Sequence, residues 1–154
     1  GLIWGHRGTS QSRWRAYLDF HQQKGLAEDE RLIVRAPYSV EGGREATREL
    51  LNLRPRPSAI FASNDVLALA AIQVASEQDL KVPADLSIVG MDDIESAAMS
   101  TPLLTTIAKD KYEIGQQAAS LLLKRLQGTT QEAPEQAIVP CRLVVRQSAA
   151  PCGQ

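Results

Sequence analysis

Short apolar runs alternate with longer amphipathic stretches along the chain, and the alternation predicts the elements. "LIWG" (2–5), "RLIVR" (31–35), "SAIFA" (58–62) and "LSIVGM" (86–91) are near-continuous apolar runs bounded by polar residues, glycine or proline, the pattern of strands buried on both faces. Between them lie three predicted helices. "SQSRWRAYLDFHQQKG" (10–25) has Ser10 or Ser12 as a cap and Gly25 as a stop. "VEGGREATRELLNL" (40–53) gathers Ala46, Leu50, Leu51 and Leu53 near one face, and "RPRP" breaks it. "DVLALAAIQVASEQDL" (65–80) is apolar and alanine-rich, which predicts close packing. Strand and helix repeating with short loops predicts an α/β fold, an open parallel sheet with helices on both faces.

The rhythm stops after "STPLLTTI", and "KDKYEIGQQAASLLLKRLQG" (109–128) reads as the longest helix, striped by Ile114, Ala118, Leu121, Leu122 and Leu126 and ended by Gly128. "AIVPCRLVVR" (137–146) reads as a final strand or strand pair. No internal repeat or low-complexity tract interrupts the pattern.

In open α/β sheets, ligands bind outside the carboxyl ends of the strands. "GHRGTS", "APYS", "ASND" and "MDD" each follow a predicted strand, so hydrogen-bonding side chains from all of them aim at one rim. The pair Asp92 and Asp93 ends the strand at 86–91. On chemistry alone it suits a metal site, a catalytic pair, a polar-ligand site or a solvated turn. Neighbouring side chains at a strand end point opposite ways, which argues against one shared proton or metal. A carboxylate at the rim accepts through two oxygens and suits vicinal hydroxyls or an N–H edge, while "DDIES" also suits a helix cap. Arg13 offers a planar fork for hydroxyl, carboxylate or phosphate oxygens, against the ordinary fate of a solvated helix charge. Tyr38 is an aromatic platform or ordinary packing, and Asn64 is a ligand contact, a cap for the helix from Asp65, or both. His6 is near the rim, His21 reads as exposed on its helix, and Trp4 reads as core.

Composition changes little. The 154 residues suffice for one domain with a sizeable core, and 44% hydrophobic with 23% charged residues is ordinary for a globular protein. A formal net charge of −1 gives the chain no basic nucleic-acid or membrane footprint. No run of about 18 apolar residues would span a membrane, and no signal peptide is visible. Cys141 and Cys152, without CxxC spacing or a nearby histidine, read as unpaired thiols rather than metal ligands. The glycines of "GHRGTS" make neither a phosphate loop nor a dinucleotide fingerprint, and no cofactor is expected.

"PRPSAIFASNDVLALAAIQVASEQDLKVPADLSIVGMDDIESAAMSTPLLTTI" (55–107) resembles the LacI/GalR family of bacterial transcriptional repressors, with "IFASND", "VPADLSIVGMDD" and "PLLTTI" in that family's order, and "RLVVRQS" (142–148) is similar to its ending. The similarity covers essentially the whole chain. The resemblance implies a type I periplasmic-binding-protein-like core of two Rossmann-like α/β subdomains behind a helix-turn-helix domain. Residues 1–106 would then be the C-terminal subdomain without its first helix. Residues 107–131 would cross the hinge into the other subdomain, and 132–154 would be the return strand and tail. It implies effector contacts at Arg13, Tyr38, Asn64 and Asp92. Thr9 and Lys109 join them from "GHRGTS" and "TTIAKD", stretches that depart from the usual residues. Asp93 is expected to be structural. Ala16 stands where the family usually has glycine, and Met91 where many members have an aromatic.

The expected protein is therefore a cytoplasmic, homodimeric sensor. It binds a small-molecule effector, a carbohydrate or derivative, and controls operator DNA through a domain not in this chain, with no membrane partner. A secreted sugar-binding protein of a transporter is the alternative. An enzyme is not expected, because nucleophile elbow, HExxH and DxD-type cluster are all lacking.

Overall fold

A computed structural model describes residues 1–5, 9–128 and 135–151, the side chains of Thr9 and Ser10 excepted. Its elements are β1 (Leu2–Gly5), α1 (Thr9–Gln23), β2 (Ile33–Ala36), α2 (Val40–Asn52), β3 (Ala59–Ala62), α3 (Asp65–Glu77), β4 (Ser87–Met91), β5 (Thr105–Lys109), α4 (Lys111–Leu126) and β6 (Cys141–Val144). The strands form one six-stranded sheet in the order β2-β1-β3-β4-β5-β6. All neighbours are parallel except β5 and β6, which run antiparallel with Thr106 opposite Val144 and Lys109 opposite Cys141.

The core follows from the alternation of side chains along strands. Ile3, Val34, Ile60 and Ile88 point to one face and meet Leu50 and Leu51 of α2 and Leu67, Ala71 and Val74 of α3. The alanines of α3 are the close-packing surface the sequence predicted, since Ala68, Ala70, Ala71 and Ala75 are all buried. The other face of β1 presents Trp4, half-buried rather than core, stacked on Trp14 of α1 at 5.4 Å between ring centroids. Arg35 of β2 lies over the same Trp4 ring at 5.1 Å. His21 is half-buried, not exposed, with Nδ1 2.9 Å from the Tyr17 carbonyl oxygen.

Helix ends obey local chemistry. Ser39 caps α2 by accepting from the Gly42 amide at 3.1 Å, and Asn64 caps α3 by accepting from the Leu67 amide at 2.9 Å. The cap expected at Ser10 or Ser12 does not occur, because α1 begins at Thr9 and both serines lie inside it. Gly25 and Gly128 stand just beyond the ends of α1 and α4 with φ of 63° and 67°.

β5 was not legible in the sequence as a strand. Thr105 and Thr106 are buried, with their hydroxyls bonded, so "TTIAK" lacks the apolar signature of the other strands. The long helix accordingly starts at Lys111, and Lys109 ends a strand instead of opening a helix. α4 buries none of its residues, and Ile114, Leu122 and Leu126 of its expected stripe are exposed, as is Leu123. The final strand is short, Cys141–Val144, and the tail beyond it returns to the sheet. Ser148 is buried, donates to the Ile88 carbonyl at 2.5 Å and accepts from the Thr105 amide at 2.8 Å, so "RQS" stitches β4 to β5.

Candidate functional site

The direction of the sheet changes at β1. From it the chain steps outward to β2, then back past β1 to β3, so β1 and β3 flank a topological switch point. The crevice outside the carboxyl ends at such a point is where open α/β sheets hold ligands. Three candidate residues stand there. Tyr38, two residues past β2, lays its ring over the backbone of Gly5 at the end of β1, so closely that a Cβ on Gly5 would overlap the ring. Arg13, one turn into α1, donates from Nη1 to the Ser63 carbonyl at 2.7 Å and lies 3.4 Å from the Tyr38 hydroxyl. Ser63, at the end of β3, accepts from the Gly5 amide at 3.2 Å. The ends of β1, β2 and β3 are thus held together by one arginine, one serine and one tyrosine.

Asn64 follows Ser63 directly, but its Oδ1 is engaged as the α3 cap. Its amide nitrogen is the group left for a ligand. Both readings of this residue are therefore sterically compatible, one atom for each.

Asp92 and Lys109 make a second centre at the ends of β4 and β5. Lys109 Nζ lies 2.5 Å from Asp92 Oδ1, with 28% and 27% of the two side chains exposed. Asp93 pairs elsewhere, with Arg146 Nη2 at 2.7 Å, while Arg146 Nη1 donates to the Leu104 carbonyl at 2.8 Å. The two acids diverge because both adopt left-handed backbone, with φ of 116° at Asp92 and 48° at Asp93. Such conformations cost on the order of 1–3 kcal/mol each and persist only where the surroundings impose them. Each acid has its own cation on a different chain segment, so they share neither a proton nor a metal. No cluster of three or more metal-ligating side chains occurs among the described residues.

Sequence reasoning missed Asp65. It is 1% exposed at the first turn of α3. Its Oδ1 accepts from the Thr106 hydroxyl at 2.5 Å and its Oδ2 from the Ile94 amide at 2.9 Å. Asp65 therefore fixes α3, β5 and the loop beyond the two acids against one another. The signal was present in "ASND", where the acid after the capping asparagine passes for a helix-dipole charge. Gly90 is its counterpart, since a Cβ there would overlap Asp65 Oδ1.

The Thr9 side chain, His6 and Cys152 lie outside the described residues. Cys141 is a free, exposed thiol. It lines a cleft of about 700 Å³ beside the rim, with Asp93, Lys109, Asp110, Lys111 and Arg142. That cleft reaches Lys109 but none of Arg13, Tyr38 and Asn64, which stand on the open part of the rim.

Chemically, the rim offers hydrogen-bond donors on Arg13, Asn64 and Lys109, an acceptor in Asp92 and an aromatic face on Tyr38. It is equipped to bind a small polar molecule.

Comparison with known proteins bears on what this arrangement serves. The profile of the periplasmic binding protein-like domain family matches residues 1–149. The HTH-type transcriptional repressor CytR of Escherichia coli strain K12 is 39% identical over 136 residues, covering 88% of this chain and 40% of the repressor. The HTH-type transcriptional repressor PurR of Proteus mirabilis is 39% identical over 152 residues, covering 97% and 44%. This chain thus spans less than half the length of these curated relatives. Among solved structures, a transcriptional regulator CelR–cellobiose complex superposes with a TM-score of 0.91 at 30% identity, over 97% of this chain and 46% of that one. A LacI-family sugar-binding transcriptional regulator from Escherichia coli, complexed with phosphate, gives 0.87 at 30% identity, over 98% and 55%. The chain belongs to the periplasmic binding protein-like domain family, in the form carried by LacI-family transcriptional regulators.

Proposed function

We propose that this chain is part of the effector-binding core of a LacI-type transcriptional regulator, and that it senses a small polar molecule, a sugar or sugar derivative. The observation that carries this reading is the convergence of Arg13, Tyr38 and Ser63 at the switch point beside the Asp92–Lys109 pair. Arg13, Tyr38, Asn64 and Asp92 are the proposed contacts, with Thr9 and Lys109 beside them. The cellobiose and sugar-binding relatives support a carbohydrate as the ligand class.

In this reading residues 1–106 form one subdomain, 107–131 cross toward a second, and 132–154 return. The support is α4, which leaves the sheet after Asp110 with no residue buried and three leucines exposed. The second subdomain would cover that face and supply the other wall of the cleft. An effector that prefers the closed arrangement shifts the population toward it, and a ligand moves such an equilibrium only by its differential affinity for the two states. Operator half-sites related by two-fold symmetry call for a homodimer. DNA-binding parts outside this sequence would read the operator, and in this reading the protein works in the cytoplasm. Catalysis has no part in this reading.

The test is operator binding by the full-length protein, followed by fluorescence anisotropy while candidate sugars are titrated. A sugar that shifts the operator affinity of the wild type and not of Asp92→Ala supports the proposal. An Asp92→Ala protein that responds like the wild type overturns the site, and a full-length protein with no affinity for DNA favours the transporter-type binding protein instead.

A further inference from the structure

Arg146, in the tail past β6, bears on the rim through Asp93. The residue is held at three points. Its amide donates to the Thr105 hydroxyl at 2.9 Å, Nη1 to the Leu104 carbonyl at 2.8 Å and Nη2 to Asp93 Oδ1 at 2.7 Å. Two residues on, buried Ser148 is bonded to Ile88 and Thr105, so the base of this arm is fixed in the interior of the sheet. The Arg146 and Asp93 side chains are 17% and 22% exposed, less than either member of the Asp92–Lys109 pair.

The grip falls on a strained stretch. Asp92 and Asp93 have φ of 116° and 48°, and residues other than glycine keep such a backbone only where the surroundings impose it. Backbone amides anchor the stretch on both sides. The Asp92 amide donates to the Ile107 carbonyl at 2.9 Å, and the Ile94 amide to Asp65 Oδ2 at 2.9 Å. Between these anchors, Arg146 is the inward side-chain hold among the described residues. We infer that Arg146 is a positioning residue for effector recognition. By holding Asp93 inward it keeps both acids left-handed, and so aims the Asp92 carboxylate at the rim. The inference rests on the reading of this rim as the effector site, and it makes Asp93 a handle rather than a contact.

The ordinary account of Arg146 and Asp93 is an ion pair that only adds stability. For a pair this buried, the lost hydration of both charges offsets much of their attraction, so net stability is a weak reason for it. Removing one partner leaves the other charge partly buried and alone. Without Arg146 the Asp93 carboxylate regains hydration by turning outward, and the same turn releases the left-handed backbone. Both effects push in one direction and carry Asp92 off its aim. A pair that merely stabilised would lower the folded fraction and leave the folded molecules binding as before.

The experiment is NMR of the full-length protein with isotope labels on aspartate carbons, joined to calorimetric titration with cellobiose and with glucose as probes. The Cα and Cβ shifts report the sign of φ and need no ligand. In Arg146→Gln the shifts of Asp92 and Asp93 should leave left-handed values, and affinity for a probe that binds the wild type should fall at least about tenfold, as loss of a charged acceptor implies. Arg146→Lys keeps the charge but drops one of the two guanidinium bonds, and should retain part of both effects. Added to Asp92→Asn, Arg146→Gln should cost no further affinity, since both act through one carboxylate. Left-handed shifts that persist in Arg146→Gln overturn the inference, and so does a fully additive loss in the double variant. Asp92→Asn alone separates the two levels. If it binds a probe as the wild type does while Arg146→Gln still moves the shifts, the reading of the rim fails and the hold on Asp92 stands. If it loses binding while Arg146→Gln keeps it, the rim is the site and Arg146 does not position it.

Discussion

Asp65 and Thr106 are joined by a 2.5 Å hydrogen bond between the start of α3 and the middle of β5, inside a region where Asp65 is 1% exposed. The carboxylate also accepts from the Ile94 amide, so one side chain sets the position of the loop that carries Asp92 and Asp93. Replacing Thr106 by valine keeps the shape and removes the donor. A buried acceptor left without a partner costs about 1–3 kcal/mol. Urea denaturation of Thr106→Val should show a loss in that range, and Asp65→Ala a larger one because two bonds go together. Wild-type stability in Thr106→Val would mean that the bond adds nothing.

The Asp92–Lys109 pair leads to a different expectation. Both side chains are about a quarter exposed, so solvent screens them and the pair adds at most about 1 kcal/mol. Asp92→Asn should therefore fold with nearly unchanged stability by thermal melt while effector affinity drops at least about tenfold, as loss of a charged acceptor implies. A melt lowered as strongly as in Asp65→Ala would reassign Asp92 to structure.

Gly5 tests Tyr38. Its missing Cβ is what lets the ring lie flat on the end of β1. Gly5→Ala should push Tyr38 off this seat and away from Arg13 and Ser63, at a cost of about 1–3 kcal/mol from overpacking. The readout is the tyrosine ring resonances by NMR together with ligand affinity. An unshifted Tyr38 ring would show that the close approach is not needed.

Tyr17, one turn beyond Arg13 on α1, offers a pH signature. Burial first, and the negative Asp29 second, raise its phenol above the usual value of 10.0. The folded state then holds the proton more tightly than the unfolded state. Its contribution is fully present below the unfolded value and is lost as pH rises through the folded one. Stability measured across the alkaline range should fall less steeply in Tyr17→Phe than in the wild type. Identical slopes would remove Tyr17 from the alkaline transition.

These tests also mark what the sequence showed and what it hid. β1 through β4 and α1 through α3 were legible because buried parallel strands and amphipathic helices write their period directly into the apolar positions. The strand ends that form the rim were legible for the same reason. β5 was hidden because Thr105 and Thr106 are buried through satisfied hydroxyls, which polarity patterns count as exposed. The role of Asp65 was hidden because its partners, Thr106 and Ile94, lie 41 and 29 residues away. The parting of Asp92 and Asp93 was legible from strand alternation, but the left-handed backbone at both was not, since no side-chain pattern announces it.

The antiparallel pairing of β5 and β6 has a mechanical consequence. β5 leaves the sheet at Lys109, and β6 enters it opposite, at Cys141. Outgoing and returning chain therefore share one end of the sheet, locked side by side by ladder hydrogen bonds. A two-ply strap of this kind resists sliding of one ply past the other but bends easily across its thin dimension. The strand that brings Lys109 to its bond with Asp92 is therefore held in register by the strand that brings the chain back.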